Sequence, residues 1–303
     1  MSLYVAAACL ALTAAVLLGP LSVAMAKARW VDRAPRAGVL LWQSIGGSAL
    51  LAGIGGGLCI ALERYHAGFV GGLDEMVHGI VEGRPLAGLG VPDALGLTLA
   101  ADLAFLFCCM LGAVTFRTVI SRRQQRRLID LVKTATLDTG AAVLDHASAV
   151  AYCVPGIRPR IVVSAGTINL LDPAELDAVV AHEHGHAHER HGLVMLPLAG
   201  VRKMFSFVPY ARLAPESVAG LLEMAADDYA VRRQDAAALI SALVSMATAG
   251  AAPRCAFGLT GGLVSRRMER LLEPGRRSMP VALGATSIAF LILGLPVAVL
   301  LGA

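Results

Sequence analysis

The chain has 303 residues, 56% of them hydrophobic and 16% charged, with a mean hydropathy of +0.68 and a formal net charge of +4. Soluble domains average about 25% charged residues, so composition argues against an ordinary soluble globule and for a membrane protein. Six cysteines occur, Cys9, Cys59, Cys108, Cys109, Cys153 and Cys255, without a C-x-x-C pair; a disulfide framework and a cysteine-ligated metal are not expected, and all six read as small buried apolar residues.

Four segments are long enough to cross a bilayer, which takes about 20 apolar residues: Leu3–Ala26, Val39–Leu62, Leu95–Phe116 and Pro280–Leu301. Ala24-Met25-Ala26 resembles a signal-peptide cleavage site, but no Lys or Arg precedes the first run and it is longer than a signal core. An uncleaved span is expected. Basic flanks set the orientation. Lys27, Arg29, Arg33 and Arg36 follow span 1, and Arg117, Arg122, Arg123, Arg126 and Arg127 follow span 3. Arg266, Arg267, Arg270, Arg276 and Arg277 precede span 4, whereas acids dominate 63–94. The expected topology has both termini outside, 27–38 and 117–279 inside, and 63–94 outside, where it either senses a signal or simply connects. Three units follow: 1–116 with three spans, a cytosolic domain over 117–279, and a fourth span over 280–303.

Within 117–279, Ala149–Cys153 and Ile161–Val163 read as short strands separated by a Pro155-Gly156 turn. Asp172-Pro173-Ala174-Glu175 opens a helix, with Asp as N-cap, Pro at the first position and Glu completing a capping box. That helix is expected to stop near His191-Gly192. A second helix is expected over about Pro215–Arg233. Between them, Leu193–Val208 is apolar but carries Pro197, Arg202 and Lys203; it reads equally as a core helix or one on the membrane surface.

The first helix contains His182-Glu183-His184-Gly185-His186, an H-E-x-x-H pattern. At about 100° per residue, His182 and His186 lie about 40° apart on one face and can hold one zinc ion. Glu183 can then serve as general base in peptide hydrolysis. His184, His188 and His191 lie about 120–180° away on a regular helix, which makes them surface residues or outer contacts. A solvated, His-rich helix end is the bland alternative. A catalytic zinc keeps three protein ligands. Glu223 is the first candidate for the third, ahead of Glu216 and Asp228. Asp227, four residues after Glu223, suits a hydrogen bond to the free ring nitrogen of a ligand histidine.

His182-Glu183-x-x-His186, Glu223-x-x-Ala226-Asp227 and the stretch from Tyr152-Cys153-Val154-Pro155-Gly156 to Ile161-Val162-Val163-Ser164 together resemble the BlaR/MecR-type integral-membrane zinc metallopeptidases, which are similar to the HtpX and CAAX-prenyl-protease type. The order of three spans, protease domain and fourth span also matches. The resemblance implies a mainly α membrane protein. Its four transmembrane helices would carry a cytosolic α+β, zincin-like (gluzincin) domain between the third and fourth, with one zinc per chain. The antibiotic sensors of that family continue into a penicillin-binding domain, whereas this chain ends at Ala303; sensing through an acylated serine is not expected.

The expected activity is endopeptidase cleavage at the cytosolic membrane face, in signalling that inactivates a BlaI-like repressor. HtpX-like quality control and a non-catalytic zinc-binding transducer are the alternatives. Expected partners are the plasma-membrane bilayer, a protein substrate and optionally a second copy of the chain, without direct nucleic-acid binding. Arg160, Ile161, Val162, Val163 and Ser164 are read as an edge strand that pairs with extended substrate, against the plainer reading of a core strand.

Overall fold

The computed structural model describes residues 1–84, 88–156, 159–249, 261–273 and 278–303. Cys255, Arg276 and Arg277 lie outside them. Helices α1 (Leu3–Val16) and α2 (Ser22–Lys27) form one rod, joined by a π-helical turn at Leu17–Leu21. Pro20 supplies no N–H and crowds the turn before it, so the helix widens there. Ser22 Oγ donates to the Leu17 carbonyl at 2.7 Å across the widened turn.

Helix α3 (Pro35–Leu62) is the hub of the apolar region, and α4 (Gly68–Val81) occupies much of the 63–94 loop. Helix α5 (Val91–Val132) has 42 residues, and the last long apolar helix is α12 (Met279–Leu301). Among the described residues, Leu3–Lys27, α3 with its Glu63–Tyr65 extension, α5 and α12 are the four helices long and apolar enough to cross a membrane. Where α3 crosses α5, a Cβ on Gly57 would stand 2.7 Å from the Gly96 carbonyl oxygen. Only glycine lets the two backbones approach so closely. The expected third span ends at Phe116, but no Gly or Pro follows Gly112 before Val132, and the helix runs on. At about 1.5 Å per residue it is about 63 Å long, twice the hydrocarbon thickness. Its second half, with Arg117 to Arg127, therefore projects beyond the apolar part.

That projection leads into a four-stranded sheet: β1 (Lys133–Thr136), β2 (Ala142–Leu144), β3 (Ala151–Val154) and β4 (Arg160–Ser164), in the order β1-β2-β4-β3. The β2–β4 pair is parallel and the others antiparallel. The two expected strands correspond to β3 and β4, each displaced by one or two residues; β1 and β2 are additions. The edge reading of Arg160-Ile161-Val162-Val163-Ser164 is wrong. Val162 pairs with Ala142 on one side and Tyr152 on the other. A strand bonded on both sides offers no free ladder, and its continuous apolar run is buried as an interior strand requires. The edge strand is β3.

Among the described residues, six helices complete the region: α6 (Ala165–Leu170), α7 (Pro173–His188), α8 (His191–Met204), α9 (Pro209–Ala230), α10 (Ala236–Thr248) and α11 (Gly261–Leu272). Helix α7 stops three residues before the expected point. Arg190 adopts φ 52°, and Gly192 lies inside the first turn of α8. Most of the 193–208 stretch lies in α8; its Leu198 and Gly200 are buried, and Gly200 lies against Met110 of α5, while Leu193 and Met204 are exposed. Helix α9 starts six residues early and keeps Pro215 inside it. Tyr210 Oη donates to the Trp42 carbonyl at 3.1 Å, fastening α9 to α3 inside the largest core cluster.

Two further expectations change. Cys59 is buried, but Cys9, Cys108 and Cys109 are exposed on the outer faces of α1 and α5, and Cys153 is half-buried. Residues on the outer faces of long apolar helices need not point into the protein. Arg267 and Arg270 are buried rather than at the surface; carboxylates from other elements pair with them.

Candidate metal centre

The start of α7 is fixed as the sequence implies. Asp172 Oδ1 accepts from the Glu175 amide at 2.8 Å, and Glu175 Oε2 accepts from the Asp172 amide at 3.0 Å. This box sets the helical phase that places His182 and His186 one turn apart, with their Nε2 atoms 3.2 Å from each other. Helix α9 brings Glu223 opposite: its carboxylate oxygens lie 3.4 Å from each of those Nε2 atoms. Gly185 permits the approach, since a Cβ there would stand 3.1 Å from both Ala226 Cα and Tyr229 Cβ.

His182, His186 and Glu223 are the one group of potential ligands found among the described residues. Zinc ligands about 2.0–2.1 Å from a common tetrahedral centre stand about 3.3 Å apart; here the two Nε2 atoms are 3.2 Å apart, with Glu223 Oε2 3.4 Å from that of His182 and Oε1 3.4 Å from that of His186. Two imidazole nitrogens and one carboxylate are also a donor set of catalytic zinc. The residues fit the ion in both spacing and chemistry.

Asp227 backs the first histidine, with Oδ1 2.9 Å from His182 Nδ1. Arg267, from α11, clamps both acids of α9. It donates to Asp227 at 2.7 and 2.8 Å, and its Nη1 lies 3.1 Å from Glu223. Burial raises the pKa values of these two carboxyls, but Arg267 and the histidines outweigh it and hold both well below the ordinary carboxylate range. Burial also opposes the charge of His182, yet Asp227 and Glu223 prevail and push it up to about 9. His186 falls to about 3, by burial and then the nearby positive charges, against Glu223. Glu183 is pushed up to about 7 by burial, with His182 opposing.

Of the remaining histidines, His184 and His188 are exposed, as the helical angles require. His191 is not: the break at Arg190 turns it back, and its Nδ1 lies 2.8 Å from His186 Nδ1. Its other nitrogen lies 3.4 Å from Glu189, which Arg36 of the 27–38 segment also grips. The weaker ligand candidates are engaged elsewhere. Glu216 pairs with Arg202 at 3.2 Å, and Asp228 with Arg270 at 2.8 Å.

Sequence reasoning missed the roles of Arg267, Arg270 and Arg36, whereas His191 takes the outer-contact alternative. One signal was available for the first two: positions 266, 267 and 270 share a helix face, and three arginines on one face require acids opposite. Nothing local marks Arg36. The cluster opens into a cleft of about 240 Å³, walled by β3 on one side and by Leu239, Leu243 and Met246 of α10 and Leu263 of α11 on the other.

Neither the curated proteins nor the solved structures contain a match to this chain. The family model described as peptidase family M48 matches residues 121–271, which include α7, α9, α11 and the whole ligand cluster. M48 peptidases depend on zinc. This match, and the buried triad it encloses, support a metallopeptidase of the M48 type over residues 121–271.

Proposed function

We propose that this chain is an integral-membrane zinc endopeptidase working at the cytosolic membrane face. The observation that carries the reading is the triad of His182, His186 and Glu223, at ligand spacing beside Glu183 in an apolar cleft. A zinc ion held by those three residues would polarise the scissile carbonyl and acidify water. Glu183 accepts the proton of the attacking water and passes it to the departing amine; a carboxyl pushed up to about 7 is matched to that exchange. Asp227 and Arg267 act as positioning residues: they orient His182 and hold the Glu223 carboxylate. The free edge of β3, which borders the cleft through Ala151, Tyr152 and Cys153, takes extended substrate as an added strand. This role replaces the one expected of β4.

Four apolar helices support the membrane location. Contacts of Arg266 and Arg270 with Asp32, and of Arg36 with Glu189, support 27–38 and the peptidase domain lying on one side, as the basic flanks require. By resemblance, we infer that the substrate is a BlaI-like repressor and the purpose is signalling.

The test is Glu183→Gln in full-length protein. It should keep stoichiometric zinc and lose casein hydrolysis, whereas His186→Ala should lose both. Wild-type turnover by Glu183→Gln overturns the role of Glu183, and stoichiometric zinc in His186→Ala overturns the ligand set.

A further inference from the structure

A second cavity, of about 570 Å³, lies behind the catalytic cleft where α5, the β3–β4 turn and the α7–α8 junction meet. Arg122, Arg123, Arg126, His188 and Arg190 contribute to its wall, and none of the described residues lining it is a carboxylate. Like charges crowded without a counter-charge repel one another, and a bound anion relieves that repulsion. Arg123 and Arg190 form no ion pair among the described residues. Arg126 Nη2 donates to the Pro155 carbonyl at 2.9 Å, but its buried Nε has no hydrogen-bond partner among the described residues. A buried, unsatisfied guanidinium donor needs an acceptor, and phosphate oxygens suit the planar guanidinium fork.

We propose that this cavity binds the phosphate group of an anionic phospholipid, and that the lipid tunes the peptidase. Depth selects lipid over free phosphate. Phe116 ends the apolar part of α5. At about 1.5 Å per residue, Val119 lies about 5 Å and Arg122 about 9 Å past it, near the headgroup layer flanking the hydrocarbon. Val119 and Leu193, both exposed, give the cavity an apolar wall suited to an acyl chain. Coupling to catalysis runs through two backbone carbonyls. Arg126 holds that of Pro155, which borders both cavities. Arg122 holds that of Gly192 at 3.1 Å, next to His191, which touches His186. Filling the anion site fixes both arginines, and with them one rim of the cleft.

The proposal rests on the membrane reading above. The test uses full-length protein in nanodiscs of phosphatidylcholine with or without phosphatidylglycerol. Retained phosphatidylglycerol is counted by native mass spectrometry, and hydrolysis of a short uncharged peptide is followed separately. The variants are Arg123→Gln and the double variant Arg123→Gln/Arg190→Asn; Asn tolerates the left-handed backbone at 190. Wild type should retain phosphatidylglycerol and hydrolyse faster with it, roughly tenfold, within the usual range of allosteric coupling. Retention should weaken roughly fivefold for the single and roughly 25-fold for the double variant. Equal retention by wild type and both variants overturns the site. Free glycerol phosphate occupying the site as well as the lipid overturns the lipid assignment. Protein that enters no bilayer sinks the membrane reading. Absence of hydrolysis in every lipid, with retention as expected, sinks the peptidase reading and leaves this site standing.

Discussion

The arginines of α5 and those of α11 flank apolar spans in the same way, yet they meet different partners. Arg266, Arg267 and Arg270 of α11 are drawn to Asp32, Asp227 and Asp228. Arg122, Arg123 and Arg126 of α5 face a cavity whose described lining holds no carboxylate. The positive-inside pattern therefore says which side of a membrane a segment occupies, but not what its charges do there. In α11 the charges are structural, in the sense that α9 and the 27–38 segment converge on them. In α5 they remain available to a ligand.

Breaking α11 should give the largest effect. Arg267→Leu leaves Asp227 and Glu223 buried without their guanidinium, and removing one partner of such a pair costs about 3–5 kcal/mol. Thermal unfolding should show that loss, with reduced zinc content by atomic absorption. Undiminished stability and zinc would mean that the clamp is decorative. Next comes Arg270→Ala, which removes donors to Asp228, to the Asp32 carbonyl and to the Met224 carbonyl. A cost of about 2 kcal/mol is expected, moderated by Arg36, whose Nη1 lies 3.4 Å from Asp228.

A pH series sharpens the contrast. Asp227 is held low by Arg267 against burial. A carboxylate depressed on folding contributes stability above its unfolded value, near 3.9, and loses it only as pH falls towards the folded value. Wild type should therefore keep this contribution through mild acid. In Arg267→Leu, burial acts with less opposition, and acid unfolding should begin at higher pH; coincident profiles would contradict the assignment. The smallest effect belongs to α5. Arg123→Gln should shift stability by no more than about 0.5 kcal/mol, and a larger loss in the thermal melt would show that α5 is as structural as α11.

Local chemistry made much of this protein legible. The capping box at Asp172 and Glu175 set the start of α7, and helical phase then placed His182 and His186 on one face. Glu223 and Asp227 followed from the i, i+4 spacing on a second helix, and long apolar runs marked the long apolar helices. Each of these depends on contacts within one helix or on composition, which a sequence displays directly.

What only the tertiary structure decided depends on contacts between distant segments. Strand order made β4 interior and β3 the edge, because β2, some twenty residues earlier in the chain, takes the free side of β4. The backbone reversal at Arg190 brought His191 to His186, although helical phase alone pointed it away. Arg267 reached Glu223 and Asp227 across about forty residues, a pairing that the order of residues along the chain does not encode. Periodicity reports which face of an element is apolar; only packing reports what that face meets.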